Sequence, residues 1–405
     1  MNDLKFKRGL LGAITIFFWA AQYIYLPFLT PYLLSLSLSA TAVGIILGAY
    51  GFTQMMLRIP LGIAGDIVQK YKLFIIIGVF LAGISSIIIM LFTKSIIILI
   101  IANGISGIAS ATWVSFTILF SSYYDDSDGL KAMGKLNMFL NMGVLFAYVL
   151  GSLMIETLGF NALLITRFVF GVVGCILSFF IKPETTVKKT NVNWQSLASV
   201  MRNKKLLVSS GLCAVAFLIL YATVFSFTTS TLKEIGANGF QIGVITSLFS
   251  IGSILISFIG TNGANKLGSK NMIWISFLLI AVYCAGISVS SSVWIFFPLQ
   301  FLCGIGGGML ASTLMGMVIK NVDMERKSTA MGVYQSIYGV GMTLGPILMG
   351  FLVQYTSKLS SFLCMTLISL ACMVFTIVSY QSVFGVAVEK KLDKEIPLQT
   401  TETKG

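Results

Sequence analysis

A chain of 405 residues that is 57% hydrophobic and only 10% charged, with a mean hydropathy of +0.93, is too apolar for a soluble domain, where about a quarter of residues carry charge. Its net charge of +13 does not argue for nucleic acid, because the lysines and arginines lie between apolar runs instead of clustering on a polar stretch. Histidine is absent, which weighs against a metal centre or a His-dependent hydrolase, and the six cysteines sit inside apolar runs without a CxxC pair and read as buried thiols.

In chain order, Lys5, Lys7 and Arg8 precede an apolar run that outlasts a signal peptide and is followed by further runs, so it reads as an uncleaved first helix. A membrane crossing takes about twenty predominantly apolar residues. The sequence predicts twelve, at 9–34, 42–62, 73–91, 96–120, 136–155, 160–181, 206–227, 242–259, 272–289, 293–319, 330–353 and 362–383. With both termini inside, 22 basic residues fall in inner segments and 3 (Lys94, Lys233, Lys358) in outer ones, which sets N- and C-termini in the cytoplasm of a cell with a plasma (inner) membrane. The domains read as a six-helix bundle at 1–181, a linker at 182–205, a second bundle at 206–384 and a polar tail at 385–405, expected to be disordered. Trp194, Leu197 and Met201 are at helical spacing, which fits either an interfacial helix in the linker or a solvated loop.

The chain repeats itself. Gly44 and Gly243, Asp66 and Asn265, and Gly107 and Gly306 are each 199 positions apart, and Ala-Met-Gly recurs at 132–134 and 330–332, 198 apart. Four coincidences in register imply a duplicated block of about two hundred residues, the construction of transporters whose two bundles rock around a midplane site.

The loop after the second predicted span reads Gly62-Ile-Ala-Gly-Asp66-Ile-Val-Gln-Lys70-Tyr-Lys72. It resembles the G-x-x-x-D-[RK]-x-G-x-[RK]-[RK] hallmark of the major facilitator superfamily, with Ile67, Gln69 and Tyr71 as departures and Lys70 adding a basic residue one position early. The second half answers it with Lys266, Gly268 and Lys270, and with Asn265 in place of the acid. The resemblance covers essentially the whole chain and implies an all-α integral membrane fold of twelve helices in two pseudo-symmetric six-helix bundles. An aspartate at a helix end can face a helix N-terminus or basic side chains across the gap between bundles, so Asp66 is the expected conformational latch, the alternative being a mere topology determinant. Gly341-Met-Thr-Leu-Gly345-Pro346-Ile-Leu-Met-Gly350 resembles the G-x-x-x-G-P-x-x-x-G element that antiporters of this superfamily carry in span five; here it stands in span eleven, where it predicts a kinked, flexing helix. The arginine of a third family element, R-x-x-x-G, is replaced by Asn103 before Gly107.

No carboxylate stands in mid-span, which leaves Asp66 and Glu156, at span ends, as candidates for coupling to protons. Arg58 and Arg167 are embedded charges, each about two turns from a span end; either they snorkel or they act, Arg167 by recognising an anion. The resemblance implies a peripheral place for the span that carries Arg167. Trp19, Gln22, Tyr23, Tyr25, Asn103, Asn137, Asn141, Tyr221, Gln300, Gln335 and Tyr338 are the candidate cavity residues, alongside Phe18 and Tyr334. A lining so aromatic and nearly uncharged suits a lipophilic or weakly polar solute; interhelical hydrogen bonding is the alternative and accounts for about half of these residues. The expected protein is thus a monomeric secondary transporter in a lipid bilayer, without cofactor, metal or enzymatic constellation. It would take a small-molecule substrate and looks most like the drug or metabolite efflux branch, driven by protons, the alternative being an uptake symporter or uncoupled facilitator for a small metabolite such as a sugar or organic acid.

Overall fold

The computed structural model describes residues 2–68, 70–93, 95–124, 129–182, 201–320 and 327–384, and every regular element among them is helical. The side chains of Asp66 and Lys266, the linker positions Trp194 and Leu197 and the tail 385–405 lie outside the described residues. Among the described residues, eleven helical stretches are long and apolar enough to cross a bilayer: Leu4–Ser35, Ala40–Gly65, Tyr71–Leu91, Ile96–Ser121, Ala132–Phe179, Lys204–Glu234, Gly239–Ile256, Leu267–Val289, Val293–Val318, Ala330–Tyr355 and Lys358–Phe384.

The fifth stretch has 48 residues, about 72 Å of helix against roughly 30 Å of hydrocarbon. It turns back at Gly159, where φ is 74°, a left-handed conformation that glycine adopts without steric cost. Beyond the turn the Thr166 hydroxyl reaches the Met154 sulfur at 3.8 Å, a contact that only a reversal provides. The crossings therefore number twelve, as expected, and are called spans 1 to 12 below, with Gly159 dividing spans 5 and 6. Gly268, also at φ 74°, turns the chain from span 8 into span 9.

Span 1 begins earlier than hydropathy suggests, because the charge of Arg8 is held by the protein: Nε donates to the Tyr123 carbonyl at 2.9 Å and the guanidinium lies 3.8 Å over the Tyr124 ring. Two spans are broken at matching points of the repeat. Span 1 breaks at Ile24 and Tyr25, where Pro27 in the first turn of Leu26–Ser35 has no N–H to continue the helix. Span 7 passes through a π-helical turn, Thr223–Phe227, without a proline. Both breaks border the cavity described next. The outer surface is apolar, with Phe80, Ile97, Leu153, Ile176, Trp294 and Leu367 more than half exposed, as suits side chains facing lipid tails.

Candidate functional site

Where the two halves meet at mid-span, a cavity is lined by Gln22, Tyr23, Tyr25 and Leu26 of span 1, Leu47 and Tyr50 of span 2, Asn103 of span 4, Tyr221, Phe225 and Ser226 of span 7, and Pro346 of span 11. Five of these are sequence candidates: Gln22, Tyr23, Tyr25, Asn103 and Tyr221. Sequence reasoning missed Tyr50 and Phe225 as lining residues; they have the residue types of the candidates and sit in the same central turns, so the signal was present. Pro346 was singled out for its kink, and the structure places it on the wall as well.

The first-half wall is a connected polar network. Gln22 Nε2 donates to the Ser106 carbonyl at 3.0 Å and to Ser110 Oγ at 2.9 Å, while the Tyr50 hydroxyl donates to the same Ser110 oxygen at 2.8 Å. The Tyr25 hydroxyl donates to Asn103 Oδ1 at 3.3 Å, and Asn103 Nδ2 donates to the Ile46 carbonyl at 2.7 Å. Behind this layer stands Arg167, fully buried. Its Nη2 donates to Gln22 Oε1 at 3.3 Å and to Ser106 Oγ, and its guanidinium carbon lies 4.1 Å from the Tyr25 ring centroid. Snorkelling is excluded for this residue: the side chain reaches into the bundle, and span 6 is not merely peripheral. Arg58 behaves likewise, 4% exposed, its Nη1 donating to the Tyr338 hydroxyl at 2.9 Å across the junction of the halves.

Other candidates are not on the cavity wall. Trp19 packs edge-on against Trp113 and Phe18. Asn137 is exposed, and Asn141 Nδ2 folds back onto the Asn137 carbonyl at 2.8 Å, since a short amide in a helix finds its own backbone four residues earlier. Gln300 is 1% exposed but lines no part of the cavity, Gln335 is half-buried, and Tyr334 bonds Cys213 Sγ at 3.0 Å.

The halves close on the face opposite the termini. A Cβ on Gly44 would stand 2.4 Å from the Pro346 carbonyl and 3.2 Å from Gly350, and one on Gly243 would stand 2.1 Å from Ser152 Cβ. The first turns of spans 2 and 8 are each capped from the other half: the Ala40 amide donates to Gln354 Oε1 at 2.9 Å, and the Gly239 amide donates to Glu156 Oε1. Toward the terminal face the same helices stay in contact, but less tightly. A Cβ on Gly332 would be 3.9 Å from Ile59, and one on Gly62 would meet only Val114 of its own half. Lys72 of the expected latch caps the end of span 6, its Nζ donating to the Phe179 and Ile181 carbonyls at 2.6 and 3.0 Å; Lys70 is exposed and Lys270 half-buried. Gly341 and Gly345 press span 11 against the Ala214 and Leu218 carbonyls of span 7, within one half.

Comparison with known proteins bears on what such a cavity is for. The inner membrane transport protein YajR of Escherichia coli K12 is 24% identical over 377 residues, covering 87% of this chain and 80% of YajR. The quinolone resistance protein NorA of Staphylococcus aureus is 25% identical over 128 residues, 32% of this chain and 33% of NorA. In fold, the crystal structure of the nucleoside transporter NupG superposes with a TM-score of 0.74 at 16% identity, covering 94% of this chain and all of that one. The family model of the Major Facilitator Superfamily matches residues 11–232 and again 212–398. With both halves matched, twelve crossings and a cavity between the halves, this chain belongs to the major facilitator superfamily.

Proposed function

We propose that this secondary transporter exports a small solute with a lipophilic or weakly polar body across the plasma membrane, as a monomer, by alternating access driven by the proton gradient. One observation carries the reading: the cavity lies at the junction of the halves, which pack tightly on the face opposite the termini and more loosely toward the other. The basic-residue bias makes the terminal face cytoplasmic. The more loosely packed side is then the cytoplasmic one, from which an exporter takes its solute. The likeness to YajR, whose name gives inner-membrane transport, supports the membrane, and the likeness to NorA, whose name gives quinolone resistance, supports export. The working units are 1–181 and 206–384, joined by 182–205.

Asp66, with Gly62, Lys70, Lys72, Lys266, Gly268 and Lys270, would latch the cytoplasmic side when it closes, and the carboxylates of Asp66 and Glu156 are the ones available to a coupling proton. In inverted vesicles, uptake of lipophilic fluorescent dyes should collapse when the pH gradient is dissipated. Asp66→Asn should slow turnover several-fold and leave dye affinity within about twofold, because a latch at a helix end acts on the conformational step; an unchanged rate would remove Asp66 from the mechanism. A second reading, uptake or uncoupled facilitation of a small metabolite such as a sugar or organic acid, is favoured by the lack of any mid-span carboxylate in the sequence. Movement indifferent to the gradient would select it.

A further inference from the structure

Arg167 is the largest fully buried side chain of the described residues. Its Nη2 is bonded, but Nε and Nη1 have no partner. A guanidinium enclosed in a membrane bundle is costly without a counter-charge. None is at hand: the fourteen acids of the chain lie at span ends, in loops or in the terminal segments. What Arg167 does touch is the cavity wall. Gln22 and Tyr25 contact it directly, Asn103 through the Tyr25 hydroxyl, and Tyr50 through Ser110 and Gln22. Every hydrogen-bonding residue that the first half contributes to the wall, apart from Tyr23, thus belongs to one network charged by one cation.

The repeat shows, independently, that this network is not scaffold. At the 199 spacing Gln22, Asn103, Ser106 and Ser110 correspond to Tyr221, Leu302, Ile305 and Met309, and at the 198 spacing of spans 5 and 6 Arg167 corresponds to Met365. The second half folds into the same architecture with apolar or aromatic side chains at each position. Its share of the wall is accordingly flat and, apart from the Tyr221 hydroxyl, apolar: the Tyr221 and Phe225 rings stand 4.9 Å apart, Phe225 meets Phe249 edge-on at 5.3 Å, and Ser226 spends its hydroxyl on the Tyr221 carbonyl at 2.5 Å.

We propose that the solute is an amphipathic organic anion, a carboxylate on a flat apolar body, held with its carboxylate against Gln22, Tyr25 and Asn103 under the field of Arg167 and its body against Tyr221 and Phe225. Arg167 is here a specificity-determining residue that acts through Gln22 and Tyr25. A cation one layer behind the wall favours a negative group in the cavity because the surrounding protein screens it poorly. The inference rests on the transport reading and names its substrate class.

Matched probes test it on the purified full-length protein: 1-naphthoate, 1-naphthamide and 1-naphthylmethylammonium share one ring system and differ in charge. In wild type, naphthoate should bind at least tenfold more tightly than naphthamide, and the ammonium compound most weakly. Arg167→Met should bring naphthoate down to the affinity of naphthamide while leaving the melting temperature of the ligand-free protein unchanged or higher, since an unpaired buried charge has been removed. Arg167→Lys, which keeps the charge, should retain part of the preference. Equal binding of the naphthoate and the amide to wild type overturns the proposal without any variant, and so does a preference that survives Arg167→Met. In proteoliposomes the two readings separate. If the ammonium or the amide is moved and the naphthoate is not, transport stands and the anion falls; if naphthoate binds with the expected preference but is never moved, the site stands and the transport reading falls.

Discussion

The contacts that close one face and the wall of the cavity are built on the same repeat, and they have fared differently. On the closed face the symmetry is kept residue for residue: Gly44 meets Gly350 where Gly243 meets Ser152, and the Ala40 amide meets Gln354 where the Gly239 amide meets Glu156. Each member lies 198 or 199 positions from its counterpart. Even the local caps correspond, Ser39 bonding the Ala42 amide at 3.2 Å and Asn238 the Gln241 amide at 2.8 Å. On the cavity wall the register survives and the chemistry does not. Groups that govern how the halves meet must match one another, because rocking uses both junctions in each cycle. Groups that face a solute need only fit the solute, and an asymmetric solute selects against symmetry.

The largest effect that would sharpen this comparison is at the close-approach glycines. Gly44→Ala places a methyl against the Pro346 carbonyl, and Gly243→Ala places one against Ser152. Each should cost up to about 3 kcal/mol, the scale of overpacking in a well-packed interior, read as a fall in melting temperature of the detergent-solubilised protein. The rescues should differ. Ser152→Gly removes the Cβ at 2.1 Å, though not the Ser152 Cα at 2.9 Å, and should recover most of the loss in Gly243→Ala, whereas Gly44→Ala has no such partner, since the crowding atom is backbone and Gly350 already lacks a side chain. Restoration of both by side-chain trimming would show that the two junctions are not packed as described.

Next in size is the contact that breaks the symmetry. Arg58 bonds Tyr338 across the junction, and its counterpart by spacing is Ser257. Tyr338→Phe keeps the ring and removes the hydroxyl, leaving a buried cation with one acceptor fewer. The expected loss is about 1.5 kcal/mol, and it should vanish in an Arg58→Met background; a loss that persists there would assign the role of Tyr338 to its stacking on Phe217, whose ring lies at 4.6 Å.

The fold was legible because its signals are long. Runs of about twenty apolar residues and a loop asymmetry in basic residues need no tertiary information to be read. The five lining residues that the sequence picked out share one property: they are polar or aromatic groups within a turn or so of a helix break or mid-span. What sequence could not supply was direction. Asn137 and Asn141 were grouped correctly on one face, but one helical period does not say which neighbour that face meets, and they turned out exposed or self-bonded. For Arg167 the sequence leaves snorkelling and anion recognition open for the same reason. A distance of two turns from the surface fits reaching outward or inward equally well, and only the positions of Gln22 and Ser106 on spans 1 and 4 decide between them.

The smallest effect is the most direct probe of the symmetry itself. Glu156 and Gln354 occupy equivalent positions and offer the same acceptor geometry to a helix N-terminus, but only Glu156 brings a charge. A carboxylate at that end of a helix is favourable by about 0.3–1 kcal/mol at low ionic strength, and less as salt screens it. Glu156→Gln should therefore make the two caps alike, keep the fold, and shift the population away from the state closed on this face by less than about 1 kcal/mol; Gln354→Glu should shift it the other way. Pulsed-EPR distances between labels at Leu158 and Phe240, both exposed, read the separation of spans 5 and 8 in a background with Cys175, Cys364 and Cys372 replaced. The broader, longer component should grow in Glu156→Gln, and the difference from wild type should shrink as salt is raised. If neither substitution moves the distribution at low salt, the paired caps satisfy helix ends and nothing more, and the bias between the two faces must come from the glycine junctions alone.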